Sequence, residues 1–396
     1  MKLYFFHAMQ NNSSIYSKIQ NQIITFEYYK ETGLLDDFYG ITDTCPKKDE
    51  AIFETGSGIV HYKMHADNTK FDVLYNWRIA RKKMFSQAFD YIRKNGFTHL
   101  FFRRAILDDL TIKFFRKLKS IGVTIIYEVP TFPYDQELDY VKPLIKKYDF
   151  KYRDKLKSYV DLVVTPSPLE NNEKIFGIDV MYVPNGIIVD NISETKCSMQ
   201  IDDMISAIGV AGLASWHAYE RFIEGLNGYY SRNGKRNVVF HIVGGNENNE
   251  YYRMYKQLIV EYSLQDHVVL HGTQRGDCLD RIFDGCNVGI EALGNARKGI
   301  HVSSSLKTRE YTARGLPVVA SGRVDVYADD YKYAMYVPED ESPVDIDKFI
   351  SFYDRVYPNA ESYKRVHDEI RQFASRTCDM RKLMMPVIDF INSTGE

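Results

Sequence analysis

A chain of 396 residues with 51 Lys and Arg against 53 Asp and Glu has a formal charge of −2, so it lacks the global basic field that grips nucleic acid. Hydrophobic residues at 44% and charged residues at 26% are globular proportions that exclude a disordered chain, and the length suits two domains. No run reaches the roughly 18 apolar residues of a membrane span, and five scattered cysteines without a C-x-x-C pair (Cys45, Cys197, Cys278, Cys286, Cys378) form neither a disulfide framework nor a zinc site.

The N-terminal apolar run ends at Met9, too short for a secretory leader, so a protein of a reducing compartment is expected. KLYFFHA (2–8) reads as a first strand, followed by a polar loop at Gln10–Ser14 and a helix near Ile15–Thr32. Residues 35–75 have no clear period. Helical spacing returns at 78–95; HLFFR (99–103) is strand-like, 108–121 is helical, and VTIIYE (123–128), LVVTP (162–166) and VMYVP (180–184) are strands. A polar, aperiodic stretch at 187–204 interrupts the alternation. It restarts with the strand MISAIGV (204–210), a helix at 218–231, VVFHIVG (238–244), a helix at 248–263 and VVLHG (268–272). A short helix at 276–284, VGIEAL (288–293), a helix at 306–314 and LPVVAS (316–321) follow, and 344–393 is mostly helical. Buried strands separated by crossover helices indicate an α/β chain with parallel sheets. Two βαβ domains facing across a cleft are expected, 1–186 and 205–375, joined by a linker at 187–204. A C-terminal helix in 376–396 is expected to return toward the first domain. Ligands of such sheets lie beyond the carboxyl ends of the strands.

Ser303, Ser304 and Ser305 precede a helix that starts near Leu306 and stops at Gly315. Serines cap helices well, and the free amides at a helix start suit an anion. Lys307 in the first turn opposes the helix dipole unless an anion is near. Glu310, three residues on along the same face, could accept from a pair of ribose hydroxyls. A surface Lys–Glu pair on an ordinary capped helix fits the same residues. Behind the strand at 204–210, GVAGLASWHAYERF offers small residues, Gly212 among them, and then Trp216, His217 and Arg221. An arginine there suits bidentate recognition of a diphosphate; a packed Trp and a solvated Arg are the plainer reading. Gly244 and Gly245 follow the next strand, and GNARKGIHVSSS (294–305) adds Arg297 and Lys298.

In the first half, YEVPTFPYDQE (127–137) places Glu128 at a strand end, with Thr131, Tyr134, Asp135 and Glu137 on a loop stiffened by Pro130 and Pro133. This suits an acceptor pocket or simply a rigid loop, and His7 at the end of strand one would face the same side. VKPLIKKYDFKYRDKLKSY (141–159) interleaves seven Lys and Arg with Tyr, Phe and Leu. Such a segment is either an amphipathic surface for anionic lipid or a solvated helix face.

VPNGI (183–187), WHAYER (216–221), IVGG (242–245), the run from Val268 to Leu293 and SLKTREYTARGLPVVAS (305–321) together resemble the retaining family-4 glycosyltransferases of the GT-B fold. EVPTFPYD and SKIQNQI (17–23) are similar, more weakly, to members that assemble bacterial surface polysaccharide. The resemblance implies two Rossmann-like domains. It also implies transfer of a sugar, with retention, from a nucleoside diphosphate (UDP before GDP) to a glycan or polyprenyl-linked acceptor. Neither metal nor other cofactor would be needed, nor a nucleic-acid partner, and the protein would be cytoplasmic with peripheral membrane contact through 141–159. By the same resemblance Arg221, Lys307 and Glu128 form the catalytic group. Gly212, Trp216, His217, Gly244, Gly245, Lys298, Ser304, Ser305, Leu306 and Glu310 hold the donor, with Glu310 on the ribose and the amides of Ser304–Leu306 around the diphosphate. His7, Thr131, Tyr134 and Asp135 lie on the acceptor side. The sequence departs from the family at Val302, where the family places a glutamate eight residues before Glu310, at the serines that replace Gly-x-Gly, and at Glu128, where many members have histidine. A non-catalytic partner subunit and a sugar-nucleotide epimerase are the alternatives; no G-x-G-x-x-G follows the first strand to support a dinucleotide enzyme.

Overall fold

The computed structural model describes residues 1–9, 16–44, 50–63, 70–135, 138, 142–168, 174–196 and 204–395. Gln10–Ser14, Glu137, Cys45 and Cys197 lie outside the described residues. The chain divides into two compact units, one made of Met1–Pro184 with Met380–Glu396, the other of Asn185–Asp379.

Unit 1 runs β1 (Lys2–Phe6), α1 (Tyr16–Glu31), β2 (Asp37–Gly40), β3 (Thr42–Asp43), β4 (Glu50–Glu54), β5 (Ile59–Lys63), α2 (Lys70–Leu74) and α3 (Arg81–Asn95). It continues with β6 (His99–Arg103), α4 (Asp109–Lys119), β7 (Thr124–Glu128), α5 (Pro143–Tyr152), β8 (Leu162–Thr165) and β9 (Val180–Tyr182). Six strands form one parallel sheet in the order β2-β1-β6-β7-β8-β9. Every residue of β6 and β8 is buried, the pattern of strands covered on both faces. Stacked aromatic rings fill much of this core: Phe6 stacks on Phe102 at 4.8 Å, Phe102 on Tyr127 at 5.8 Å, and Phe85 on Phe114 at 4.6 Å. Asp108 caps α4 through the amides of Leu110 and Thr111 and accepts from Trp77 and Arg81, which ties the start of α3 to the same point. The aperiodic stretch at 35–75 holds β2 and a small antiparallel sheet, β3-β4-β5.

Unit 2 runs β10 (Met204–Val210), α6 (Glu220–Ser231), β11 (Asn237–Val243), α7 (Glu250–Glu261), β12 (Val268–Gly272), α8 (Asp277–Phe283), β13 (Val288–Ile290) and β14 (Val302–Ser303). After these come α9 (Leu306–Ala313), β15 (Val318–Ser321), β16 (Arg323–Val324), β17 (Ala334–Val337), α10 (Ile346–Val356) and α11 (Ala360–Thr377). The chain then re-enters unit 1 with α12 (Met380–Leu383) and α13 (Met385–Ser393). The second parallel sheet has the order β12-β11-β10-β13-β15-β17. Two glycines on neighbouring strands make room for two tyrosines. A Cβ on Gly209 would lie 2.6 Å from the Tyr219 ring, and one on Gly289 2.5 Å from the Tyr311 ring. The Tyr311 hydroxyl accepts from the Val210 amide at 2.9 Å and donates to the Ile290 carbonyl at 3.3 Å, so it ties the carboxyl ends of β10 and β13 together.

Residues 187–196, expected to be linker, are packed on unit 2. Ile187 and Val189 are buried with Ala313, Ala374 and Cys378, and the Thr195 hydroxyl donates to the Arg314 carbonyl at 3.0 Å. The segment is held at separate points rather than along one face, which is why it has no period.

Candidate functional site

In each sheet the strand order reverses next to its first strand, between β1 and β6 in unit 1 and between β10 and β13 in unit 2. An open parallel sheet offers its ligand crevice at this position.

At the unit 2 reversal, the loop after β10 carries Trp216 and His217, the end of β13 carries Glu291, and α9 begins with Leu306 and Lys307. His217 is buried, and its Nδ1 accepts from the Ala214 amide at 3.0 Å, which leaves the proton on Nε2. Burial first, then the positive charges of Lys307 and Lys298, bring its pKa down to about 2, so the ring is a neutral donor at physiological pH. Its Nε2 has no partner among the described residues. Lys307 is likewise without a side-chain partner among the described residues. Burial lowers its pKa, while Glu291 opposes that shift. Glu291 is itself buried and accepts from Asn295 at 3.1 Å and Ser303 at 3.4 Å. Lys298 lies 4.1 Å above the Trp216 ring. Two ammonium groups and a neutral N–H donor thus gather where a ligand would meet this sheet, with one buried carboxylate behind them.

The other predicted donor residues divide. Ser305 caps α9 by accepting from the Lys307 amide at 3.2 Å. Ser304 is occupied internally: its hydroxyl accepts from the Asn185 amide at 3.1 Å and from Arg309 at 3.2 Å, and its carbonyl accepts from the Asn185 side chain at 2.7 Å. The Leu306 side chain is partly buried against the cluster of Ile187, Val189, Ala313, Ala374 and Cys378. Glu310 is partly exposed, and one of its oxygens accepts from Arg314 at 3.1 Å. Gly212 is exposed, and a Cβ placed on it would meet nothing within 4 Å, whereas Gly244 and Gly245 have an internal reason to be glycine. A Cβ on Gly244 would lie 1.7 Å from the Ala211 carbonyl oxygen, and one on Gly245 2.7 Å from Leu213.

Arg221 requires a correction. It is 1% exposed, and all three of its nitrogens donate to carbonyls: Nε to Ser342 at 2.7 Å, one terminal nitrogen to Leu293, the other to Pro338 at 3.0 Å. Its helix position turns it into the unit, where it clamps two loops instead of meeting a diphosphate. Arg309, not singled out in the sequence, does similar work. Fully buried, it pairs with Asp325 at 2.6 Å and donates to the Asn185 carbonyl at 2.6 Å, which fixes the start of α9. The string VPNGI at the junction was the available signal for Asn185.

The acceptor-side expectations in unit 1 also need correction. Glu128 is 2% exposed and forms ion pairs with Lys18 at 2.9 Å and Arg103 at 2.8 Å, with Gln22 donating at 3.0 Å. Burial pushes its pKa up, but Arg103 and Lys18 outweigh this and hold it at about 2, so it is a fixed carboxylate and not an acid–base group. His7 is fully buried, with Nε2 on the Ile41 carbonyl at 2.5 Å and Nδ1 accepting from the Met9 amide. Tyr134 is buried between the guanidinium groups of Arg104, 3.4 Å from the ring centre, and Arg153, and its hydroxyl donates to Asp149 at 3.0 Å. Asp135 is exposed and paired with Arg153 at 2.9 Å; Thr131 is partly buried. Of the described polar residues of this loop only Tyr134 turns inward, where Asp149, Arg104 and Arg153 engage it.

Of the basic segment, residues 142–159 are described. Lys142, Leu144, Lys147, Phe150, Lys151, Lys155 and Lys157 are exposed, while Asp149 and Leu156 are buried. Among the described residues no helix is long and apolar enough to cross a membrane, and no group of three or more His, Cys, Asp or Glu could hold a metal ion.

No family model matches the chain, and no curated protein matches it. Among solved structures it is similar to the glycosyltransferase of Rickettsia africae ESF-5, at 14% identity and a TM-score of 0.63 over 99% of this chain and 98% of that one. It is also similar to Anabaena HepE in complex with UDP, at 10% identity and a TM-score of 0.62 over 99% and 100% of the two chains. The sucrose-phosphate synthase of Thermosynechococcus elongatus matches at 13% identity and 0.60 over 99% and 98%. The architecture is the two-domain α/β GT-B fold of these structures.

Proposed function

We propose that the chain is a glycosyltransferase that moves a sugar from a nucleoside diphosphate, UDP in preference to GDP, to a glycan or polyprenyl-linked acceptor. The observation that carries this reading is the gathering of Lys307, Lys298 and the Nε2–H of His217 at the strand-order reversal of unit 2. Solved neighbours that hold UDP or UDP-glucose support the choice of nucleotide.

When the bond between the anomeric carbon and the diphosphate breaks, negative charge grows on the phosphate oxygens. Cations and donors already oriented in a partly buried site stabilise that charge without reorganising. Lys307 supplies a charge of reduced hydration, neutral His217 a fixed hydrogen bond, and the start of α9 its unbonded amides. Because the chain itself brings these groups, the reading needs no resident metal. One oxygen of Glu310 stays available for the ribose. The acceptor hydroxyl then enters from the face the diphosphate leaves, with retention. The exposed lysines, Leu144 and Phe150 of 142–159 suit a protein working at an anionic membrane face in surface-polysaccharide synthesis.

Lys307→Ala should slow release of UDP from its donor sugar nucleotide by on the order of 10²-fold while the urea midpoint stays in place. An unchanged rate in a folded variant refutes the assignment. The binding-subunit alternative rests on Val302, an apolar residue on β14 where a donor-contacting glutamate is expected. Tight UDP-sugar binding with no UDP release on any acceptor would select it.

A further inference from the structure

Arg103 is the last residue of β6 and stands at the strand-order reversal of unit 1, with His7 just past the end of the neighbouring β1. It is 3% exposed. One terminal nitrogen donates to Glu128 at 2.8 Å; Nε and the other terminal nitrogen have no partner among the described residues. The neighbours are already committed. The second oxygen of Glu128 takes Lys18 at 2.9 Å and Gln22 at 3.0 Å, and the acceptor nitrogen of His7 takes the Met9 amide at 3.3 Å. A guanidinium carries five donors in one plane, and the unpartnered nitrogens of Arg103, in a residue buried as a whole, still reach solvent and so can be reached by a ligand. The free edge of Arg103, Nε with the outer terminal nitrogen, has the spacing that matches two oxygens of one carboxylate or phosphate.

We propose that Arg103 binds an oxyanion, a carboxylate or a phosphate, carried by the acceptor, an inference that rests on the transferase reading given above. Glu128, Lys18 and Gln22 are positioning residues: the shared carboxylate fixes one end of the guanidinium and leaves the other edge open. A neutral acceptor that covers this edge displaces its water without supplying a partner, and sites of that design discriminate strongly against the analogue that lacks the partner.

Glucuronate, glucose 6-phosphate and glucose are titrated calorimetrically into the full chain saturated with UDP, so that phosphate cannot report on unit 2. The expected result is that one anionic sugar binds at least about tenfold more tightly than glucose, and which one does so separates carboxylate from phosphate. Arg103→Lys and Arg103→Gln should each remove that preference while UDP affinity holds. Equal binding of the three sugars, or a preference that survives in both variants, overturns the proposal. If neither variant folds, the wild-type comparison decides alone. Should UDP fail to bind, the transferase reading falls by itself, and the same sugar comparison in Lys307→Ala still tests Arg103.

Discussion

Arg103, Arg221 and Arg309 are each almost fully buried, and they differ in what fills the plane of the guanidinium. Arg309 meets Asp325, Ser304, Ser305 and Asn185, and Arg221 meets carbonyls on two loops. Both are structural clamps. Arg221→Ala strands at least three carbonyls and should cost about 3 kcal/mol of stability. A urea titration reads that loss, and UDP affinity of the folded fraction should change little; a stable variant that no longer binds UDP would restore Arg221 to the donor site. His217 lies in the loop after β10, and Arg221 and Lys307 in the first turns of α6 and α9, the places the sequence reading gave them, because position after a strand follows from the alternation of apolar runs. It could not tell a clamp from a ligand, since Arg221 differs from a solvent-facing arginine only in which side of α6 it occupies. Nor could it show that Ser304 would be consumed by Asn185, a partner 119 residues away.

At the scale of elements, most strands and helices were legible, since β6, β7, β8, β10 and β11 are apolar runs buried on both faces and bounded by turn residues. The small antiparallel sheet was not. Its strands show one face to the unit 1 core and are only two to five residues long, too short for alternation to register. The glycine pair after β11 was legible as glycine but not by reason. Gly244 has φ of +130° and packs against the Ala211 carbonyl, so it joins two loops at the end of the sheet. Gly244→Ala should destabilise unit 2 by about 3–5 kcal/mol through strain and displaced backbone. Thermal unfolding will show it as an early transition; a near-native midpoint would mean that the loop after β10 yields easily.

For the molecule as a whole, buried imidazoles set the response to acid. Burial lowers His7, His99, His241 and His367 to about 4 and His217 to about 2. Unfolded histidine titrates near 6.5, so between that value and the folded ones the unfolded chain binds more protons. Stability therefore rises with pH across this range and is lost as pH falls below about 6.5. Glu128, held at about 2, adds a second loss below its ordinary range near 4.5. Urea midpoints should drop from pH 7.5 to pH 5.5 and further toward pH 3.5, where the histidines and Glu128 act together, and Glu128→Gln should lessen only the lower part of the drop. A midpoint independent of pH between 7.5 and 5.5 would contradict the buried neutral histidines. The chain leaves the first unit after Pro184 and returns at Met380, and the Ile187 amide donates to the Cys378 carbonyl at 3.0 Å. The second unit is therefore an uninterrupted insert whose entry and exit meet at one doorway. A gene fragment spanning 185–379 keeps that insert whole, whereas a stop codon at 380 strips the other unit of α12 and α13, the latter capped by Thr394, whose hydroxyl meets His99 at 3.0 Å.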